Sequence, residues 1–245
     1  MKGTCPWVLL ATGTIDPKGM RFTVRTDPAQ RLSDYTEALR FWCDTIDLPI
    51  VFCENSGYDL GSFSRLAKNR SHPLELVSFE APPFPEKRGK GYGEVLIMKH
   101  AIENSALIGP ETRVIKVTGR LQVANFEQIF ARMSTLSFDV CLDLKEALND
   151  TDCRFFAAST RFLRDYLVPE AERIDETIKP MINLERALAS ATLRAVADGL
   201  RWELLPVDPL FRGYSATRGN RYTNRRYLIR QASKAIRARM IRLGL

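Results

Sequence analysis

The sequence predicts an α/β fold in which a mainly parallel sheet is flanked by helices. Four short apolar runs, rich in Val, Ile, Leu and Phe, are spaced along the first 120 residues. Segments with apolar residues at helical spacing lie between them. Because parallel neighbouring strands need a crossover connection, strands that alternate with helices favour a parallel sheet.

The four apolar runs are the predicted strands. Each has the length of a strand and is bounded by polar or turn-forming residues. Residues 1–120 are therefore predicted to form a doubly wound half of the fold. The runs are WVLLA (7–11), LPIVFC (48–53), LELVSF (74–79) and RVIKV (113–117).

Two helices are predicted between these strands, from apolar residues that recur three or four positions apart. The first covers 31–45, and the second follows a glycine-rich loop. Their apolar positions are Leu32, Tyr35, Leu39 and Trp42 in the first, and Val95, Met98, Ile102 and Ala106 in the second.

The second half of the chain is less regular. Residues 137–144 alternate like a half-buried strand, and 153–160 are a further candidate strand. An amphipathic helix is predicted over 182–199, ending at Gly199. We find no repeat and no linker, so one domain is predicted over 1–208, divided at 120 into two halves, with a basic loop and helix at 209–245.

Charge is distributed unevenly along the 245 residues. The formal net charge is +7, yet the segment after Asp208 has ten basic residues and no acid. Without those ten, 26 basic residues face 29 acidic ones, which gives the body a formal charge of −3. The basicity therefore belongs to the C-terminal segment.

Composition also limits location and metal chemistry. The longest early apolar run is too short to span a membrane, so a cytoplasmic location is expected. With two histidines, a His-rich metal site is disfavoured. Five cysteines without a CxxC pair are predicted to be reduced core thiols: Cys5, Cys43, Cys53, Cys141 and Cys153.

Polar or glycine-containing segments follow each predicted strand. Because carboxyl ends of parallel strands meet at one edge of a sheet, these segments are predicted to surround one crevice. Glycines at 89, 91 and 93 permit close approach of backbone to a ligand, and Lys90 adds a cation where free N–H groups of a helix start favour an anion. These features predict a site for a phosphate-bearing ligand. The segments are ATGTI (11–15), ENSGYD (54–59), EKRGKGYGE (86–94) and TGR (118–120).

Two common phosphate-binding motifs do not match this loop. A Walker loop needs Gly-Lys-Ser/Thr, whereas Gly91 follows Lys90. The dinucleotide fingerprint needs G-x-G-x-x-G after the first strand, whereas G-x-G-x-G follows the third here. Kinase-type and NAD chemistry are disfavoured, and a surface turn that begins a helix is the structural alternative.

The order of these segments resembles bacterial GT-A-type glycosyltransferases that build cell-surface polysaccharides such as lipopolysaccharide core, O-antigen or capsule. It covers most of the first 160 residues and weakens toward the C-terminus. The resemblance implies a GT-A-like fold, a nucleotide-sugar donor across the first strand ends, and a glycan or lipid-linked glycan acceptor. The matching segments are ATGTI, RTDPAQRLSDYTEAL (25–39), VFCENSGYDL (51–60), GKGYGEVLIMKHAIENS (89–105) and VIKVTGR (114–120).

The resemblance places donor binding at the strand ends. Glu54 and Asn55 would contact nucleoside hydroxyls or base, with an Asx-type turn into Gly57 as the alternative. Arg31 would touch the donor or pair with Asp34 or Asp27. The predicted donor-binding residues are Thr12, Gly13, Thr14, Arg31, Glu54, Asn55, Lys90, Gly91, Gly93, Glu94, Lys116, Thr118, Gly119, Arg120, Arg218 and Arg221.

One departure from the family pattern concerns metal. Thr118-Gly119-Arg120 stands where the family normally has an Asp-x-Asp motif that holds a divalent cation. We therefore expect no metal and no cofactor, with cations offsetting the leaving diphosphate. Asp139 and Asp143, four apart on one face of a predicted strand, are interpreted as a solvated face, with a metal site as the alternative. The candidate cations are Lys90, Lys116, Arg120 and Arg218 or Arg221.

Two carboxylates are candidates for the base that takes the acceptor proton in an inverting transfer. Glu185 lies on the late predicted helix, where the resemblance implies such a base, and Asp152 is the competing candidate. Either could instead be structural, and a retaining mechanism stays open.

The basic C-terminal helix suggests a partner surface. Its apolar stripe and arginines suit an anionic membrane, where lipid-linked acceptors reside, so a peripheral position at the inner face is expected. A solvated helix, an oligomer contact and nucleic acid are the alternatives, the last disfavoured by the acidic body. Overall the sequence predicts a metal-independent glycosyltransferase; a nucleotide- or RNA-binding protein and a nucleotidyltransferase are the other readings.

Overall fold

A computed structural model describes residues 6–18, 24–68, 70–145, 147–215 and 219–222. Its main feature is a seven-stranded sheet in the order β3-β2-β1-β4-β7-β6-β8, beside a small antiparallel pair of β5 and β9. The strands are β1 (Trp7–Gly13), β2 (Ile50–Glu54), β3 (Leu74–Ser78), β4 (Arg113–Thr118), β5 (Gln122–Val123), β6 (Val140–Cys141), β7 (Phe155–Ser159), β8 (Trp202–Glu203) and β9 (Phe211–Arg212).

The sheet is mainly parallel, which confirms the predicted fold class. β3, β2, β1 and β4 run in one direction, with Leu10 beside Val51 on one side and Lys116 on the other. β7 is antiparallel to both β4 and β6, and β8 is parallel to β6. The carboxyl ends of the first four strands therefore share an edge with the beginning of β7.

Six α-helices are described, and α4 and α5 belong to one continuous helical stretch from 160 to 173. Asp27 caps α1 by accepting from the Ala29 amide at 3.0 Å, and Asn183 caps α6 through the Arg186 amide at 3.0 Å. The α-helices are α1 (Pro28–Thr45), α2 (Gly89–Asn104), α3 (Phe126–Met133), α4 (Thr160–Phe162), α5 (Val168–Glu170) and α6 (Leu184–Ala197). A π-helical segment (Leu163–Leu167) joins α4 to α5, and 3-10 helices lie at Gly61–Ala67, Glu86–Arg88 and Ala171–Arg173.

Helices cover both faces of the sheet, so the core has two layers. Alternate residues of β1 enter different layers: Leu10 packs with Met98 of α2 on one face, and Leu9 packs with Trp42 of α1 on the other. This follows from the two-residue period of a strand. None of the described helices is long and apolar enough to cross a membrane.

The predicted strand at 137–144 is wrong in length, whereas its predicted core residues Phe138, Val140 and Leu142 are buried and Asp139 and Asp143 are half-buried. Only Val140–Cys141 is a strand, and both residues are buried. Val140 packs in one core layer and Cys141 in the other, so both faces of β6 are covered at these two positions. The Asp139 carboxylate accepts from the Arg201 amide at 2.9 Å, and Asp143 lines a small cavity.

Other sequence-based expectations agree more closely with the structure. α2 ends at Asn104, two residues before the predicted Ala106, and α6 lies within the predicted 182–199 segment. Cys53, Cys141 and Cys153 are buried thiols, and burial raises the pKa of Cys53 to about 12. Cys5 and the predicted C-terminal helix lie outside the described residues.

Candidate functional site

A cavity of about 170 Å³ lies over the carboxyl ends of β1 and β4. Three of the four polar strand-end segments line it, and the fourth, residues 54–59, does not. Nine of the predicted site residues line it: Thr12, Gly13, Thr14, Arg31, Lys90, Glu94, Thr118, Arg120 and Glu185.

Glu94, on α2, is the centre of a hydrogen-bond network in this cavity. Its Oε1 accepts from the hydroxyls of Thr12 and Thr118 at 2.9 and 3.2 Å, and from the Lys116 ammonium at 2.5 Å. Burial alone would raise the pKa of Glu94, but Lys116, Thr12 and the charge of Arg120 hold it below its usual range. The carboxylate is thus ionised and ties α2 to two strands.

Lys116 is fully buried beneath this network. Its ammonium also donates to the Cys153 carbonyl at 2.6 Å and to the Thr118 hydroxyl at 3.3 Å. Together with Glu94 these oxygens satisfy its three donors. Direct contact of Lys116 with a ligand stays a prediction, and this geometry favours a supporting role.

The loops after β1 and β2 are joined through Glu54 and Asn55. The Thr14 hydroxyl donates to Asn55 Oδ1 at 2.6 Å. The buried Glu54 carboxylate accepts from the backbone amides of Ile15, Ser56 and Tyr58 at 2.8, 2.9 and 3.1 Å. The turn into Gly57 is therefore built around Glu54, while Asn55 faces the loop after β1.

Arg31 reaches the crevice from α1 and is buried. Its Nε donates to the Thr14 carbonyl at 2.7 Å, and a terminal nitrogen donates to the Tyr35 hydroxyl at 3.2 Å. Neither predicted alternative partner is used, because Asp34 pairs with Arg25 and Asp27 caps α1. Arg31 thus fixes the loop after β1 and also lines the cavity.

Arg120 and Arg154 approach the cavity from β4 and β7. Arg120 Nε donates to the Tyr214 carbonyl at 3.2 Å. The Arg154 guanidinium lies 4.9 Å from the ring centre of Tyr222, which also lines the cavity. The sequence analysis missed Arg154 because its place beside the strand ends depends on the antiparallel direction of β7.

The two candidate bases, Glu185 and Asp152, line different cavities. Glu185 lies in the first turn of α6 and faces the cavity, and the Cys153 thiol donates to its Oε1 at 3.3 Å. Asp152 lines a different cavity of about 100 Å³. Its carboxylate accepts two hydrogen bonds from the Arg154 guanidinium, at 2.8 and 2.5 Å, and one from the Arg154 amide at 3.1 Å.

A cavity of about 800 Å³ adjoins the first one through Thr14 and extends over the ends of β2 and β3. Asn55 and Ser56 contribute polar groups, and Pro17, Pro82 and Phe84 contribute apolar ones. The sequence analysis passed over the Pro-Pro-Phe-Pro segment at 82–85, although rigid prolines directly after a strand indicate an ordered loop.

A third cavity, of about 300 Å³, shares Lys90, Glu94 and Glu185 with the first. Gly91 of α2 and Glu176 also line it. The sequence analysis missed Glu176, because no motif spacing links the 175–181 loop to the glycine-rich segment.

The remaining predicted residues have the following positions. The Gly119 amide donates to the Thr12 carbonyl at 2.8 Å, which holds β4 against β1, and Gly93 packs near Phe84. Arg221 is exposed beside Tyr222, and Arg218 lies outside the described residues. Within the described ranges, no group of three or more His, Cys, Asp or Glu side chains is arranged to hold a metal ion.

Comparison with known proteins gives only distant structural similarity. No protein-family model and no curated protein matches the sequence. The apo form of the glycosyltransferase GlyE from Streptococcus pneumoniae TIGR4 is similar with a TM-score of 0.49 and 11% identity, over 82% of this chain and 45% of that one. The chain thus spans about half the length of GlyE.

Two further solved structures are similar at the same level. HddC from Yersinia pseudotuberculosis has a TM-score of 0.42 and 14% identity, over 85% of this chain and 92% of that one. S. aureus TarS 1-349, in complex with UDP, has a TM-score of 0.44 and 12% identity, over 83% of this chain and 59% of that one. At such values the activities of these proteins are not transferred to this chain.

Proposed function

We propose that the chain is a glycosyltransferase that moves a sugar from a nucleotide-sugar donor to a glycan acceptor. One observation carries the proposal: Lys90 and Arg120 line the same 170 Å³ cavity as the carboxylate of Glu185. Cations suit a departing diphosphate, and a carboxylate suits an acceptor hydroxyl. The sequence resemblance supports the same activity.

The larger cavity has the chemistry of a nucleoside site. The apolar surfaces of Pro17, Pro82 and Phe84 can pack against a base. Asn55 and Ser56 offer hydrogen bonds to a ribose or a base edge. We assign the nucleoside of the donor to this cavity and its sugar to the adjoining 170 Å³ cavity.

The donor diphosphate would then lie between the two cavities, near the beginning of α2. Gly89 lines the larger cavity and Lys90 the smaller one, so the helix start borders both. Its amides and the charges of Lys90 and Arg120 would stabilise the nucleoside diphosphate as it leaves. We propose that these groups act without a divalent metal ion.

Glu185 is proposed as the base. As the acceptor oxygen attacks the anomeric carbon, the bond from that carbon to the diphosphate oxygen breaks and the hydroxyl proton passes to Glu185. The diphosphate takes the electron pair of the broken bond. Glu185 lines both smaller cavities, so an acceptor in the 300 Å³ cavity could reach it.

The acceptor is proposed to be a lipid-linked or growing surface polysaccharide at the inner face of a membrane. Support comes from the sequence resemblance and from the basic segment after Asp208. That segment would attract anionic headgroups.

Calorimetric titration with UDP, GDP and CMP, each with manganese and with EDTA, tests donor binding and metal use together. We expect one nucleotide to bind with the same affinity in EDTA. Arg120→Ala should weaken that binding about 10-fold or more through loss of a charge-assisted contact, and exposed Arg132→Ala should not. Binding of single-stranded oligonucleotides without binding of any nucleotide would contradict the proposal, and binding only with manganese would contradict metal independence.

A further inference from the structure

The start of α2 already holds an anion that belongs to the protein itself. A side chain built on Gly89 would overlap the carboxylate of Glu176. Gly89 also has a φ of 58°, which glycine adopts without strain. The carboxylate of Glu176 therefore fills the space in front of the first turn of α2.

The surroundings of Glu176 include both signs of charge. Burial raises the pKa of Glu176, while the charge of Lys90 and hydrogen bonding from the Gly91 amide lower it, and the charge of Glu185 raises it again. The net direction is upward. An ionised carboxylate at this place is therefore only partly stabilised.

The backbone around Glu176 is fixed to the same region. Its amide donates to the Lys87 carbonyl at 2.7 Å, and Asp175 lies 3.4 Å from the Lys87 ammonium. Asp175 also pairs with Ile182 through two backbone hydrogen bonds of 2.9 and 3.1 Å. The position of the carboxylate thus follows from an anchored chain segment.

The side chain of Arg88, which precedes α2, forms no hydrogen bond with the amides of the first turn. Arg88 holds the N-cap position, but a guanidinium has no acceptor atom, so it cannot accept hydrogen bonds from these amides. It donates instead to the carbonyls of Ala171 and Ile174, at 3.3 and 3.5 Å. Amides at the start of a 16-residue helix attract negative charge, and Glu176 supplies it in this structure.

We propose that Glu176 is an internal competitor of phosphate groups at the start of α2, and that it sets the affinity and selectivity of the crevice for phosphate-bearing ligands. The identity of the natural ligand as a donor diphosphate rests on the proposed function. A carboxylate and a phosphate cannot both occupy the space beside Gly89. A phosphate that binds the α2 amides beside Gly89 must therefore displace the Glu176 carboxylate, and anions of lower charge would displace it less readily.

The expected size of the effect follows from population arithmetic. If the carboxylate occupies the site in about nine of ten molecules, the apparent dissociation constant of a competing anion rises about 10-fold. Removing the carboxylate should recover that factor. Truncating a residue that merely supports the site would lower affinity instead.

The test is calorimetric titration of the full chain with inorganic pyrophosphate. Glu176→Gln and Glu176→Ala should bind pyrophosphate about 3- to 10-fold more tightly than the unmodified protein. Glu172→Gln is the matched control, because Glu172 lies beside the same helix start but contacts Arg88 and Tyr92. Its affinity should stay unchanged. In Glu176→Ala with Lys90→Ala, the gain should disappear.

The outcomes separate this inference from the proposed function. Unchanged or weaker pyrophosphate binding by both folded Glu176 variants overturns the inference, whatever nucleotides do. Tighter pyrophosphate binding together with no binding of any nucleoside diphosphate supports the inference and contradicts the donor assignment. Circular dichroism spectra that match the unmodified protein establish that the variants fold.

Discussion

Glu185 and Asp152 differ in what their carboxylates contact. Glu185 faces two cavities and has the Cys153 thiol at 3.3 Å. Asp152 pairs with Arg154, and the Arg154 guanidinium lies 4.2 Å from the ring centre of Phe211. Burial would raise the pKa of Asp152, but the hydrogen bonds and charge of Arg154 and the charge of Lys145 hold it below its usual range. A low pKa makes a carboxylate a weak base.

Glu185→Gln should therefore mainly lower the rate of catalysis, and Asp152→Asn should mainly lower stability. We expect Glu185→Gln to lower kcat about 100-fold or more with little change in the free energy of unfolding, because it removes the proton acceptor. Asp152→Asn should lower the free energy of unfolding by about 2 kcal/mol near pH 7, since it breaks a charge-assisted pair. Turnover and urea denaturation measure the two effects.

The stability effect of Asp152→Asn should depend on pH. A lowered folded-state pKa stabilises the protein above the unfolded pKa, about 4 for Asp, and this contribution is lost as the pH falls through the folded value. The difference between Asp152→Asn and the unmodified protein should therefore shrink below about pH 4. A normal kcat in Glu185→Gln together with a large loss in stable Asp152→Asn would reverse the assignment of the base.

Single residues of the site were predictable where they follow a parallel strand. Thr14 and Arg120 could be placed in one cavity, and Asn55 in the adjoining one, because carboxyl ends of parallel strands share an edge. Arg154 and Glu176 could not, since each reaches the crevice from a segment whose direction or loop path leaves no periodic pattern. The sequence also could not show that the three donors of the Lys116 ammonium are all hydrogen-bonded to protein oxygens.

At the scale of elements, the glycines of α2 set its distance from neighbouring segments. A Cβ on Gly91 would lie 2.9 Å from the Cβ and 3.1 Å from the backbone nitrogen of Leu184, at the start of α6. A Cβ on Gly93 would meet Phe84 at 3.4 Å, an ordinary contact. The two positions therefore differ in the room they leave.

Gly91→Ala and Gly93→Ala form a matched pair on one helix. Alanine favours the helix by about 1 kcal/mol in each case. Gly93→Ala should thus keep or slightly raise the free energy of unfolding. Gly91→Ala should lower it by about 1–2 kcal/mol, because α6 must move away from α2. Urea denaturation compares them, and equal stabilities would mean that α2 and α6 are not in close contact.

The first half of the fold was predictable element by element, whereas in the second half β7 and α6 were predictable and the short strands β6 and β8 were not. Strands β1, β2 and β4 are mainly apolar and buried on both faces, a pattern that is typical of parallel sheets, and β3 is a partly exposed edge strand. β6 and β8 have two residues each, which is too short for any periodicity. Their pairing depends on contacts across the sheet that local sequence does not encode.

For the whole molecule, charge separates the body from the C-terminal segment. The first 208 residues have a formal charge of −3, and the remainder adds ten positive charges. Tyr222, the last described residue, stacks near Arg154 at the cavity. The basic segment therefore begins beside the crevice.

Deletion of residues 223–245 should weaken attachment to anionic vesicles while the body stays folded. The deletion removes seven basic residues, each worth up to about 1 kcal/mol near an anionic surface. Sedimentation with vesicles of 30% phosphatidylserine should show at least about 10-fold weaker binding. Neutral phosphatidylcholine vesicles are the control. Unchanged sedimentation with anionic vesicles would remove the segment from membrane attachment.

Because β7 is antiparallel to β4, two kinds of segment line the crevice. The parallel strands contribute Thr12 to Thr14 and Thr118 to Arg120 as chain leaving the sheet, whereas β7 contributes Cys153 and Arg154 as chain entering it. In the loop before β7, the part that precedes Asp152 can therefore be varied without altering a crossover helix or the hydrogen bonds of Asp152, Cys153 and Arg154. Under the proposed function, a library of variants in that loop would test which acceptors the crevice admits.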